Sequence, residues 1–394
     1  MRAADIRPLW LTENYPPGRG GMAQSCDRIV RSLRGRGVAV TVAHLSPRHT
    51  AWRIETRLTG RDFLCPMGAD PAHTLNRLWN ELAHAAAADG AFTHVVAFGG
   101  LLPLLAAPAY AAWLGVPLVT LLRGNDFDAG IFSLRRGDVL REALARAACV
   151  CVVTRDHARK VAALYPNVRT VWTPNGIDHD EWALTAGDRA QAEAWRRAHV
   201  AAGRRVLGLF GHLKQKKGGP FFLDALLRSG RADSFHLLLV GEWEPELAAW
   251  LEAHQGALSF SALPFLDRYE LLPYYAACDL IVLPSFYDGL PNVLVEAAAL
   301  GVPLLASTAG GMADFLADGE HAILFRPGDP HDCRAAIERA AALSTEELQR
   351  LGANCRALAR AAFTLEDEAD KYLSVLGATQ TPRVASVAEF QPVV

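Results

Sequence analysis

The chain predicts an α/β protein of two Rossmann-like, doubly wound domains facing each other across a cleft. Three features of the 394 residues carry that expectation. Short apolar runs rich in β-branched residues recur from end to end, separated by segments long enough for crossover helices. That is the grammar of parallel sheets covered on both faces. The series breaks once, around residues 175–204. Loops rich in glycine, lysine and acids follow the strands, where doubly wound sheets bind ligands.

The first series opens with Ile6–Leu11 and continues through VAVTV (38–42), THVVAF (93–98), VPLVTLL (116–122), VCVVT (150–154) and VRTVW (168–172). From Val95 to Leu122 there is no charged residue, a length that would span a bilayer. Pro103, Pro108, Pro117, Gly99, Gly100 and Gly115 interrupt it. It parses better as a strand, a helix opening near Pro103, and a second strand. After TPNGIDHDEW comes the charged, helix-prone AGDRAQAEAWRRAHVAAGRR, so the first domain is expected over residues 1–180. The second, over 181–362, holds VLGLFG (206–211), FHLLLVG (235–241), ALSF (257–260), DLIVLPS (279–285), VPLLAS (302–307) and AILF (322–325). Helical pattern follows Asp332 to about Leu376, and residues 379–394 lack periodicity and are expected to form a flexible tail.

Composition excludes several classes. Hydrophobic residues make up 51% and charged residues 21%, and the net charge of -2 lacks the basic excess of a nucleic-acid binder. Seven cysteines, an odd number without a CxxC pair, read as buried thiols of a reducing compartment. Cys149 and Cys151 are expected on one strand face. Metal-ligand spacing is absent. The start MRAADIRPLW is not read as a signal peptide, which points to a cytoplasmic protein.

The loops carry the chemistry. After the first strand, Gly18, Gly20 and Gly21 precede a helix starting near Met22, an arrangement that suits an anion or a close ligand, or a plain flexible loop. Arg123, Asn125 and Asp126 follow VPLVTLL, offering hydrogen bonds to a polyhydroxylated ligand, or a simple cap. GHLKQKKGG packs His212, Lys214, Lys216 and Lys217 before a helix, the makings of a phosphate site. Then SFYDGLPNVLVEAAALGVPLLASTAGG places Asp288 before a helix of about Asn292–Leu300 and Glu296 in its second turn, with Pro291 in the first turn and Gly301 as the stop. Two acids beside a phosphate-binding helix start cannot both face phosphate, and are better used on hydroxyls. Gly310 and Gly311 allow close backbone approach. A nucleotide sugar satisfies all of these groups.

On these motifs the chain resembles the retaining GT-B glycosyltransferases of the glycogen-synthase-like group, family 4, over roughly residues 6–376. The run Pro284–Gly311 is the most specific, supported by Pro174–Asp178, Gly211–Gly218 and Gly20-Gly21. The resemblance implies that Glu296 binds the donor ribose and that Asp288, where the family usually has Glu, contacts the donor sugar. It gives the diphosphate or sugar to the amides of Gly289, Leu290, Pro291 and Asn292, or as many of these as carry one. Lys217 with His212, where an arginine is usual, would grip the leaving diphosphate beside Gly211. Apart from the resemblance, contacts to the donor base are expected around Leu263, Pro264 and Phe265, after ALSF, through backbone groups. Gly20, Gly21, Arg123, Asn125 and Asp126 fall on the acceptor side, although Arg123–Asp126 stand where many members have a histidine. A C-terminal helix, about 363–378, should cross back onto the first domain.

The implied reaction is retaining transfer from a nucleoside-diphosphate sugar to an acceptor hydroxyl, without an essential metal or other cofactor. The acceptor is an unknown glycan, lipid-linked or small molecule. An epimerase or phosphorylase on the same scaffold, and a non-catalytic binding protein, are the competing readings. Arg28, Arg31 and Arg34 recur at helical spacing; such stripes are usually solvated, and a minority make weak peripheral contact with an anionic membrane, here at its inner face.

Overall fold

The computed structural model describes residues 2–89 and 91–379. The first sheet has eight strands: β1 (Pro8–Thr12), β2 (Thr41–Ser46), β3 (Arg53–Thr56), β4 (Arg61–Pro66), β5 (His94–Phe98), β6 (Leu118–Leu122), β7 (Cys149–Val152) and β8 (Arg169–Trp172), in the order β3-β4-β2-β1-β5-β6-β7-β8. All its pairings are parallel except β3 with β4. The second sheet has β9 (Arg205–Phe210), β10 (Phe235–Val240), β11 (Phe260–Leu263), β12 (Leu280–Leu283), β13 (Leu304–Ser307) and β14 (Ala322–Phe325), all parallel, in the order β11-β10-β9-β12-β13-β14. The strand order reverses beside β1 in one sheet and beside β9 in the other. These are the switch points at which such sheets open a crevice.

Some boundaries move. VAVTV is not itself a strand: Val38 donates to the Leu33 carbonyl to close the preceding helix, and β2 starts at Thr41. ALSF contributes only its last residue to β11. β3 and β4 are additional: β3 is short, polar and exposed, and β4 offers only Phe63, Leu64 and Cys65 in sequence as an apolar run. The uncharged stretch divides into β5, the helix Leu101–Leu114 and β6. Among the described residues no helix is long and apolar enough to cross a membrane.

The chain leaves the first sheet after β8 and returns after Phe363, and the two passages run side by side: Ile177 N–H donates to the Phe363 carbonyl at 3.0 Å. The helix Leu365–Thr379 then lies against the helix Gly21–Gly35. Its Tyr372, Val375 and Leu376 share a core with Trp10, Ile29 and Val30 of the first domain. The expected tail lies outside the described residues, apart from Thr379, which ends this helix.

The arginine stripe is not the exposed face that a membrane contact needs. Arg28 makes a two-pronged bond to Glu368, at 2.8 and 3.0 Å, and Arg34 reaches Asp62 at 2.6 Å and the Val40 carbonyl at 2.8 Å. Both acids are almost fully buried, so charge pairing turns these arginines inward. Arg31 alone stays half exposed, paired with Asp27.

Candidate active site

The loops after β1, β6, β9 and β12 meet in the crevice. The helix Asn292–Leu300 points its start there, with Pro291 as the capping residue rather than the first helical one, and Gly301 in the left-handed region (φ 71°) closes it. Ahead of it the chain passes extremely close to the first domain. A Cβ on Gly289 would lie 2.3 Å from the Arg123 carbonyl oxygen, and one on Gly124 would lie 2.8 Å from the Gly289 nitrogen. Only residues without side chains permit that approach.

Asp288 sits between two ammonium groups. Lys216 Nζ is 3.0 Å from its Oδ1, and Lys217 Nζ binds its Oδ2. The lysines come from the short turn Gln215–Lys217, which docks on the β12 loop through a 2.9 Å bond from Phe286 N–H to the Lys216 carbonyl. Burial alone would raise the Asp288 pKa, but Lys217 and Lys216 outweigh it and hold the carboxyl down at about 2. The sequence reading gave Asp288 to sugar and the lysines to phosphate; the structure makes them one cluster, with Lys216 a full member.

Glu296 is 8% exposed and accepts a 2.6 Å hydrogen bond from the Tyr275 hydroxyl. Burial pushes its pKa up to about 7, opposed by that bond and by the charge of Arg28. Tyr275 stands on the helix Arg268–Ala277 and went unread in the sequence, where it looks like any core aromatic.

Two connected lobes flank the helix start. One, of about 530 Å³, is lined by Lys216, Lys217, Asp288, Leu290, Pro291 and Asn125. The other, of about 660 Å³, is lined by Arg19, Phe265, Tyr275 and Glu296. Gly20, Gly21, Gly211, His212 and Asn292 border both. Gly20 (φ 95°) caps the helix that begins at Gly21. Phe265 carries the Arg19 guanidinium over its ring at 5.2 Å. Pro264, expected beside it, is exposed and does not line the lobe with Phe265.

Two acceptor-side residues that border the lobe are also engaged within the protein. The Arg123 guanidinium bonds the Tyr372 hydroxyl at 2.9 Å and Asn175 Oδ1, with Glu368 at 3.9 Å. The Asp126 carboxylate accepts from the backbone N–H groups of Arg123, Gly124 and Phe127. Buried donors and acceptors at a strand end had to be satisfied, and these side chains satisfy them. Asn125 borders the same lobe as both of them. Glu13, missed in the sequence, accepts from the Leu101 and Leu102 N–H groups at the start of their helix. Among the described residues no cluster of three His, Cys, Asp or Glu side chains could hold a metal ion.

Two doubly wound domains with a site at facing switch points define the GT-B class. The solved structures that superpose on the chain belong to it: sucrose-phosphate synthase from Thermosynechococcus elongatus (TM-score 0.79, 19% identity) and Anabaena HepE in complex with UDP-glucose (TM-score 0.74, 19% identity) each align over 95% of this chain and 100% of their own. Residues 19–181 match the model of Glycosyltransferase Family 4, and residues 204–342 that of Glycosyl transferases group 1. The chain belongs to that family, the group 1 glycosyltransferases of family 4. Among curated proteins it is 30% identical over 263 residues to the D-inositol 3-phosphate glycosyltransferase of Geodermatophilus obscurus, 62% of this chain and 56% of the relative. It is 27% identical over 195 residues to the lipopolysaccharide core biosynthesis mannosyltransferase of Rhizobium meliloti, 45% of this chain and 53% of the relative. The chain thus spans little more than half the length of these relatives.

Proposed function

We propose that the protein transfers a sugar from a nucleoside-diphosphate sugar to an acceptor hydroxyl, with retention at the anomeric carbon. The observation that carries this is the cluster of Lys216, Lys217 and Asp288 at the start of the Asn292–Leu300 helix. A helix start and two ammonium groups make a positive end to the cleft that suits a departing diphosphate. When the anomeric C–O bond breaks, its electron pair goes to the diphosphate oxygen, and Lys217, His212 and the helix amides stabilise the charge. The acceptor oxygen bonds to the same face of the anomeric carbon, and its proton passes to the donor phosphate, so no covalent enzyme intermediate is required. Glu296 accepts ribose hydroxyls and Phe265 borders the base. HepE, similar in fold, has been solved with UDP-glucose, which supports a nucleotide sugar as donor. The positive charge comes from the chain's own residues, so the reaction proceeds without a resident metal.

A thermal-shift panel of UDP, GDP and ADP with their glucose conjugates tests the reading. A ligand that binds only the native state raises its apparent stability, by about 2.7 kcal/mol at a hundred times Kd. One nucleotide should stabilise the protein, with its conjugate at least equal; no shift from any of them rejects the assignment.

A further inference from the structure

The Gly289–Asn292 turn belongs to the second domain, where Gly311 N–H donates to the Gly289 carbonyl at 2.9 Å, yet it is held from the first domain as well. Asn175 Nδ2 donates to the Leu290 carbonyl at 3.0 Å and to Asn292 Oδ1 at 2.9 Å. Asn292 Nδ2 donates to the Gly21 carbonyl at 3.1 Å. Asn175 is 4% exposed and lies just beyond β8, on the outgoing passage between domains. Its own Oδ1 accepts from Arg123, whose other terminal nitrogen bonds the Tyr372 hydroxyl at 2.9 Å.

Each polar atom of the Asn175 amide is therefore used, and the two sides differ in kind. The oxygen is held by an arginine at the end of β6, which is itself anchored on the returning C-terminal helix. Both nitrogen-borne hydrogens go to the turn that opens the Asn292–Leu300 helix. A primary amide suits this place because it accepts on one side and donates twice on the other; a carboxylate of the same shape has no donor. Preorganised donors stabilise a developing charge only when they are already aimed at it, and small misplacements are expensive.

We propose that Asn175, oriented by Arg123, is a positioning residue for sugar transfer. It fixes the Leu290 carbonyl and the first residue of the Asn292 helix, so the diphosphate-facing amides are aligned when the two domains are shut. This rests on the glycosyltransferase reading above.

Full-length Asn175→Asp and Asn175→Ala proteins test it. The Asp variant keeps the acceptor for Arg123 and loses both donors to the turn; the Ala variant loses all three bonds. Hydrogen–deuterium exchange is compared over residues 286–296 and over β10, and kcat for nucleoside-diphosphate release from UDP-, GDP- and ADP-glucose is set against the Kd of the free diphosphates. In both variants exchange over 286–296 should accelerate about tenfold while β10 stays unchanged. Turnover should fall about 30-fold while Kd moves less than about threefold, since Glu296, Lys217 and Phe265 are untouched. Exchange that quickens equally in both segments, or in neither, overturns the proposal, as does a loss confined to Kd. A wild-type protein that neither binds nor turns over any of the three would instead defeat the glycosyltransferase reading. The exchange comparison needs no ligand and would still decide whether Asn175 holds the turn.

Discussion

The Tyr275 hydroxyl donates to Glu296 Oε2 at 2.6 Å, inside the second domain and at the wall of the cleft. The carboxyl is buried and its pKa is raised to about 7 from an ordinary 4.5. A raised carboxyl pKa means the folded state holds its proton more tightly than the unfolded chain. Its stabilising effect is complete below pH 4.5 and is lost as pH rises through 7. Glu296→Gln, which stays neutral, should therefore be more stable than wild type at pH 8 by about 1–3 kcal/mol and equal to it near pH 4. Denaturant titrations at the two pH values check this. Nucleotide affinity should fall in the same variant, because an amide is a poorer acceptor for ribose hydroxyls.

Asp288 behaves in the opposite sense. Its pKa is depressed to about 2 from 3.8, so its contribution is complete above pH 3.8 and is lost as pH falls through 2. Replacing it with Asn should cost about 2 kcal/mol at pH 7, measured by chemical denaturation.

Lys217→Ala removes one of the two ammonium groups beside Asp288 and half of the positive cluster. Loss of a charge that acts on the departing diphosphate should lower kcat about 100-fold or more. Circular dichroism should remain native, and Lys216→Ala should be weaker than wild type in the same assay. Unchanged turnover in both would remove the lysines from the chemistry.

The Arg28–Glu368 pair ties the first helix to the last, with the acid 3% exposed. Arg28→Ala leaves that carboxylate buried, with Arg123 at 3.9 Å as its remaining ion-pair partner among the described residues. A stability loss of about 3 kcal/mol is expected from denaturation curves. Leu376→Ala, which opens the same interface, should lose about 2–4 kcal/mol.

The sheets were legible because doubly buried strands give unbroken apolar runs, and β5 to β7 fall almost where those runs stand. The β3–β4 hairpin was not, because β3 is a short edge strand carrying the charged Arg53 and Glu55, and β4 has only Phe63, Leu64 and Cys65 to signal burial. The loops of the site were legible as positions, since ligand-facing groups follow strands. Their partners were not. Whether Arg123 faces a ligand or Asn175 depends on residues 52 positions apart in the chain, and the tyrosine beside Glu296 is 21 away. Sequence spacing carries no sign of such pairs until the sheets are closed.

At the seam between the domains, backbone 124 and backbone 289 pass with no room for a methyl group on either side. The two lobes are consequently not free to vary independently. A chimera that takes one lobe from another glycosyltransferase needs glycine on both sides of that seam, or the recombined halves will stand apart however well each folds by itself.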